Sequence, residues 1–313
     1  MTALEYDALW NKGKVFIDRA LVARDDGRTD EYHLWAAVAL ELLGKASLAR
    51  VHPSLVADPT HFPSMLAAVG HQQAADVKSV TARTLFSRLG SVVPGFDDRM
   101  QRECNTIAER RNAELHSGES PLTGISERAW VPFYWRVVNV LLAQQGRTFE
   151  ELVGDEEAPR IREILRSAAE LTRQTVLARI ARRAAAISER YPADGREIRE
   201  AIRRAAARPL PTKYQGDADA FEEVGCPACN MKGWLFGAVE HEEIREVEVD
   251  ADPEWGPMMA EILEVTYSSE RFLCSECGLT LDGHEELRFA GLPSEFVQEE
   301  EHEPDYEPEY GND

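Results

Sequence analysis

No stretch of this chain approaches the roughly 18 consecutive apolar residues needed to cross a bilayer. Its first twenty residues, beginning Met1-Thr2-Ala3-Leu4-Glu5, lack the basic start and apolar run of a secretory leader. A soluble, cytoplasmic chain without a membrane partner is therefore expected. Cysteine is scarce as well: five residues in 313, an odd number. That argues against a disulfide framework and makes metal binding the better use of the thiols. The HExxH, GxxxxGK, GxSxG and dinucleotide-type glycine patterns are absent, which removes the commonest metalloprotease, nucleotide-phosphate, hydrolase and dinucleotide-dependent activities. Basic residues nearly vanish from one end. Residues 216–313 hold four Lys+Arg against 28 Asp+Glu, a balance of −24, whereas residues 1–215 hold 31 against 28, a balance of +3.

What is present divides along the same line. Up to about residue 208 the apolar residues recur at helical spacing, with breaks at Asp25-Asp26-Gly27, at 52–63, at Pro94-Gly95 and at Ser117-Gly118. The segment 34–43 is apolar nearly all round except for Glu41, as befits a central helix packed on several sides. Helices over 97–115 and 127–145 read as an antiparallel pair. An Arg-rich stretch, 159–191, keeps Ile161, Ile164, Leu165, Ala168, Val176, Ile180 and Ala184 near one face, so one long amphipathic helix is expected. Residues 159–215 hold 14 basic and 6 acidic residues. This excess could track a phosphate backbone or dock the acidic end of the same protein, and a solvated face is the plainer alternative.

Beyond Pro209-Leu210-Pro211, short strands are expected at 234–240, 244–249, 262–267 and 271–273, where β-branched and aromatic residues alternate with charges. The expected organisation is mainly α: a helical bundle over 1–153, an Arg-rich helical extension over 154–215, a small β-rich zinc-ribbon-like domain over 216–297, and a disordered acidic tail over 298–313.

Cys226-Pro-Ala-Cys229 and Cys274-Ser-Glu-Cys277 each set two thiolates on one tight turn, and Gly278 follows the second pair. Two such turns complete a tetrahedron, so Cys226, Cys229, Cys274 and Cys277 are expected to bind one structural zinc ion. Four thiolates leave no open position for substrate or water, and the activity has to lie elsewhere. A ribbon this acidic would repel nucleic acid, making contact with protein or with the basic helix of its own chain the better use. By the same logic, the acidic end could occupy that helix and compete with RNA for it.

The remaining constellation is Glu109-Arg-Arg-Asn-Ala-Glu-Leu-His-Ser-Gly118. On its helix Met100, Cys104, Ile107, Ala108 and Leu115 mark a buried stripe. Arg111 falls on that stripe and so needs a partner or an interface, while Arg110 points to solvent. Asn112 and His116 lie one turn apart. Here the chain resembles the HEPN superfamily, helical-bundle proteins of microbial toxin, phage-defence and CRISPR systems whose nucleases carry an Arg-x4-6-His motif with a polar residue after the arginine. Arg111, Asn112 and His116 match that motif position by position, and Glu41-x-x-x-Lys45 lies in the long apolar second helix.

The resemblance implies a metal-independent endoribonuclease acting on RNA as a homodimer through the bundle, with two motifs facing one composite cleft. His116 would transfer protons, Arg111 would stabilise charge on the phosphoryl oxygens, Asn112 would orient the imidazole or a phosphate oxygen, and Glu41 would hold Arg111 in place. An intrahelical Glu41–Lys45 pair explains Glu41 equally well. The alternative is a catalytically silent adaptor that assembles with a protein regulator.

Overall fold

The computed structural model describes residues 3–71, 76–191, 196–207, 209–210, 216, 218–252 and 256–301. The chain divides into two compact units, Met1–Ala168 and Ala169–Asp313. Among the described residues, no helix is long and apolar enough to cross a membrane.

The first unit is helical: α1 (Tyr6–Asp25), α2 (Thr29–Val51), a 3-10 turn (Pro53–Leu55), α3 (Phe62–Ala68), α4 (Ala82–Val92), α5 (Asp98–His116), α6 (Glu127–Gln145), α7 (Phe149–Val153) and the first turns of α8 (Ala158–Arg190). Helix α2 is its axis, packing against α1, α4, α5 and α6. Its buried residues run all the way round, from Tyr32 and Ala36 to Leu40, Leu43, Ala46 and Leu48, as a helix apolar on every face requires. Helices α5 and α6, expected as a pair, share α2 as their partner. The Tyr134 hydroxyl donates to the Ala36 carbonyl at 3.1 Å. Gln145 donates to Ser47 Oγ at 2.7 Å and to the Leu43 carbonyl at 3.3 Å, so its buried amide nitrogen is bonded, whereas its Oε1 has no hydrogen-bond partner among the described residues. Asp97 caps α5 by accepting from the Met100 amide at 2.7 Å, and Thr148 with Glu151 forms a reciprocal capping box on α7.

The division between units falls inside α8, rather than at 153/154 or 215/216. Ile161 is buried with the first unit's core; Val176, Ile187 and Tyr191 are buried with the second's. Its expected apolar stripe is buried or half-buried throughout.

In the second unit, the rest of α8 and α9 (Arg196–Ala206) join a five-stranded antiparallel sheet and the short α10 (His284–Phe289). The strands are β1 (Ala220–Gly225), β2 (Lys232–Asp252), β3 (Gly256–Leu273), β4 (Thr280–Asp282) and β5 (Glu295–Glu301). The order is β1-β2-β3-β4, with β5 on the same edge of β3 as β4 but further along it. Leu235, Phe272, Leu281 and Phe296 form the core with Val176 and Ala201. Gly233 is required by close approach: a Cβ there would lie 2.4 Å from the Phe272 ring.

Two expectations are corrected here. The four short strands are two long ones, because the charged interruptions are absorbed as irregularities of register next to Gly237 and between Val239 and His241. The segment from 298 does not begin a disordered tail, since residues 298–301 continue β5 along β3. A run this charged lacks the apolar area to fold alone, but backbone pairing to an existing strand requires none. The remainder of the expected tail, 302–313, lies outside the described residues.

Candidate functional sites

Two sites emerge, one in each unit. In the second, the turn joining β1 to β2 carries Cys226 and Cys229, and the turn joining β3 to β4 carries Cys274 and Cys277. The β2–β3 register, which sets Trp234 opposite Leu273, brings the two turns together. Each turn has the same local construction. The Cys226 amide donates to the Met231 carbonyl at 2.8 Å, and the Cys274 amide donates to the Leu279 carbonyl at 2.9 Å. The residue after each second cysteine is left-handed, Asn230 at φ 56° and Gly278 at φ 68°, the conformation open to glycine and, among side-chain residues, best tolerated by asparagine.

The four sulfurs lie within 4.8 Å of one another, with Cys226–Cys277 and Cys229–Cys274 both at 3.6 Å. A disulfide would bring sulfurs to about 2.0 Å, while four sulfurs about 2.3 Å from a central ion are spaced about 3.8 Å apart. The cluster therefore has the dimensions of a tetrahedral metal centre. Sulfur–sulfur hydrogen bonds set the thiols against one another, lowering Cys226 and Cys274 and raising Cys229 and Cys277. A bound cation would take all four as thiolates. Asn230 escapes a search for cysteine spacing, but the shared Cys-x-x-Cys-Asn/Gly pattern marks it.

The second site lies on α2 and α5. Glu41 accepts from Lys45 Nζ at 2.7 Å through Oε1 and from Arg111 Nη1 at 2.6 Å through Oε2. Lys45 also donates to Ser79 Oγ at 2.9 Å. All three charged side chains are largely buried, with relative exposures of 10% for Lys45, 16% for Arg111 and 17% for Glu41. Burial opposes ionisation of Glu41, yet the Lys45 ammonium and the Arg111 guanidinium outweigh it and hold the carboxyl below its ordinary range. Both readings of Glu41 thus apply at once, because one carboxylate bridges its intrahelical lysine and an arginine 70 residues away. The buried Arg111 Nε has no hydrogen-bond partner among the described residues. Ser79 carried no sequence signal, since it enters from the loop before α4.

Asn112 and His116 are exposed on α5. The buried stripe of α5 comprises Met100, Cys104, Ile107 and Ala108. Leu115 was expected on it but is 54% exposed. Arg111 and His116, five residues apart, sit about 140° apart around the axis, one turned toward Glu41 and the other toward solvent. The structure therefore joins Glu41, Lys45 and Arg111 and leaves Asn112 and His116 outside that network. Cys104 is buried, and burial drives its thiol pKa up, as for an inert hydrophobe. His33 is also buried, against Trp130 at 4.6 Å between ring centroids; burial lowers its pKa against a weak bond to the Leu122 carbonyl.

The arginines of α8 are substantially paired. Arg162 meets Glu150 at 2.5 Å, Arg166 meets Glu163, and Arg173 meets Glu170 at 3.6 Å. Further along, Arg179 binds Glu286 of α10 and the Tyr191 hydroxyl donates to Glu276. Folded acidic residues thus engage the basic helix within the second unit. No family model, curated protein or solved structure matches the chain.

Proposed function

We propose that this chain is a metal-independent endoribonuclease of the HEPN type, a toxin or phage-defence effector, whose second unit is stapled by one structural zinc ion. The observation that supports the nuclease reading is the Glu41–Arg111 pair. A guanidinium fixed by a buried carboxylate is pre-oriented, and its remaining donors can meet a phosphoryl oxygen without first losing rotamer freedom. In this mechanism the RNA 2′-hydroxyl attacks the adjacent phosphorus as His116 handles its proton, the P–O5′ bond breaks, and the leaving oxygen is protonated. Arg111 stabilises the charge on the phosphoryl oxygens, and Asn112 orients the imidazole. The need for a 2′-hydroxyl selects RNA over DNA. Because Arg111 and His116 lie on different sides of α5, a composite cleft needs a second copy, and a homodimer through the first unit belongs to the proposal.

A donor set of four thiolates at tetrahedral spacing suits zinc. Cys226, Cys229, Cys274 and Cys277 would hold it, its chemistry being structural. A second reading, a catalytically silent adaptor with a protein regulator, draws on Arg111 being already committed to Glu41. The deciding experiment is expression in cells of the wild type beside Arg111→Ala and His116→Ala, with mapping of RNA ends. Cleavage should appear in the wild type and fall by about 100-fold or more in both variants. Intact RNA throughout, or equal cleavage in all three, would favour the adaptor.

A further inference from the structure

Strand β1 covers the outer edge of β2 only from Lys232 to Gly237. Just beyond, Asp219 accepts from the Val239 amide at 3.0 Å, and Glu240 is the extra residue where the β2–β3 register shifts. From there β2 continues over residues 240–247 with β3 on its inner side, and among the described residues no strand pairs with its outer edge. A strand edge of this length offers a row of backbone donors and acceptors to any chain that can lie beside it.

The side chains decide which chain that is. Glu240, Glu242, Glu243 and Glu246 are all exposed. The lone guanidinium among residues 240–247, Arg245, is already paired with Glu243 at 3.4 Å and with Glu264 of β3 at 2.8 Å. A second copy of this edge would set carboxylates against carboxylates, which is destabilising directly across a sheet. On one face of β2 the order is Glu242, Ile244, Glu246, with Ile244 53% exposed. A chain laid alongside would place its own alternate residues against these three. The complementary order is basic, apolar, basic.

We propose that the outer edge of β2 over residues 240–247 binds an extended basic segment of another protein as an added strand, selecting a basic–x–apolar–x–basic pattern. This surface is independent of the nuclease reading. Its test uses the full chain and a synthetic peptide of alternating lysine, threonine and valine, beside a peptide of equal charge whose two central threonines are replaced by proline. Proline removes the backbone donors that strand addition needs but leaves the electrostatic attraction intact. The strand-forming peptide should bind about tenfold or more tightly than the proline control and slow amide exchange over residues 240–247. The double variant Glu242→Lys/Glu246→Lys should abolish that difference while keeping the wild-type circular dichroism. Equal binding of the two peptides would show mere charge attraction and overturn the proposal, as would absent binding or protection elsewhere on the chain.

Discussion

Glu41 shows how one residue can carry two obligations. In the segment 34–43, otherwise apolar all round, a carboxylate is tolerated because two cations reach it from different directions, Lys45 from the next turn and Arg111 from α5. Removing its charge leaves both cations buried without compensation. Glu41→Gln is therefore expected to lower unfolding free energy at neutral pH by about 3 kcal/mol, at the low end for a broken buried pair. The folded carboxyl titrates below its unfolded value, so this stabilisation is complete above the ordinary carboxylate range and is lost as pH falls through the folded value. Urea denaturation of both proteins at about pH 7 and about pH 4 checks this. The gap between them should narrow in acid, and a constant gap would show that the charge of Glu41 is not the cause.

At the scale of elements, the two cysteine turns are versions of one device: a strand end, two thiols, a left-handed residue and a return bond to the residue just before the next strand. Asn230 and Gly278 occupy equivalent places, which makes a paired comparison possible. Gly278→Asn should be nearly neutral, while Gly278→Val should destabilise the second unit by about 1–2 kcal/mol, because a β-branched residue at positive φ is strained. Thermal melts followed by circular dichroism in the strand region would read both. Equal tolerance of asparagine and valine would mean that the turn can re-form without the left-handed residue. The long β2–β3 pair differs from these turns, since bulges let one continuous hairpin absorb charges that otherwise read as strand ends.

At the scale of the molecule, the division into two compact units with separate cores predicts two separable transitions. The metal proposal says which one depends on an ion: only the second unit contains the four-thiol cluster. Calorimetry of the metal-loaded chain should show two unfolding events. A strong chelator should lower the transition of the sheet-containing unit and leave the helical unit's unchanged, with about one zinc ion released per chain. A chelator that shifts both events, or neither, would contradict a structural ion confined to one unit.

The parts legible in the sequence were those governed by local periodicity and by paired spacing. An apolar stripe determines a helix because burial and backbone geometry share one repeat, and so α5, α6 and α8 were readable nearly to their ends, while of α2 only the apolar centre, 34–43, was read. Two Cys-x-x-Cys pairs determined a four-thiol cluster because each turn is itself a local structure. Tertiary structure alone decided what depends on neighbours distant in sequence. Leu115 continues the periodicity of α5 yet is left 54% exposed, and residues 298–301 are too charged to fold alone yet find a strand to pair with. Arg111 carried a demand for a partner in its sequence position, but nothing in the sequence could say that Glu41 would satisfy Lys45 and Arg111 together, because that depends on how α2 and α5 cross. Local pattern determines which elements form and which groups need partners, and packing decides which partners they obtain.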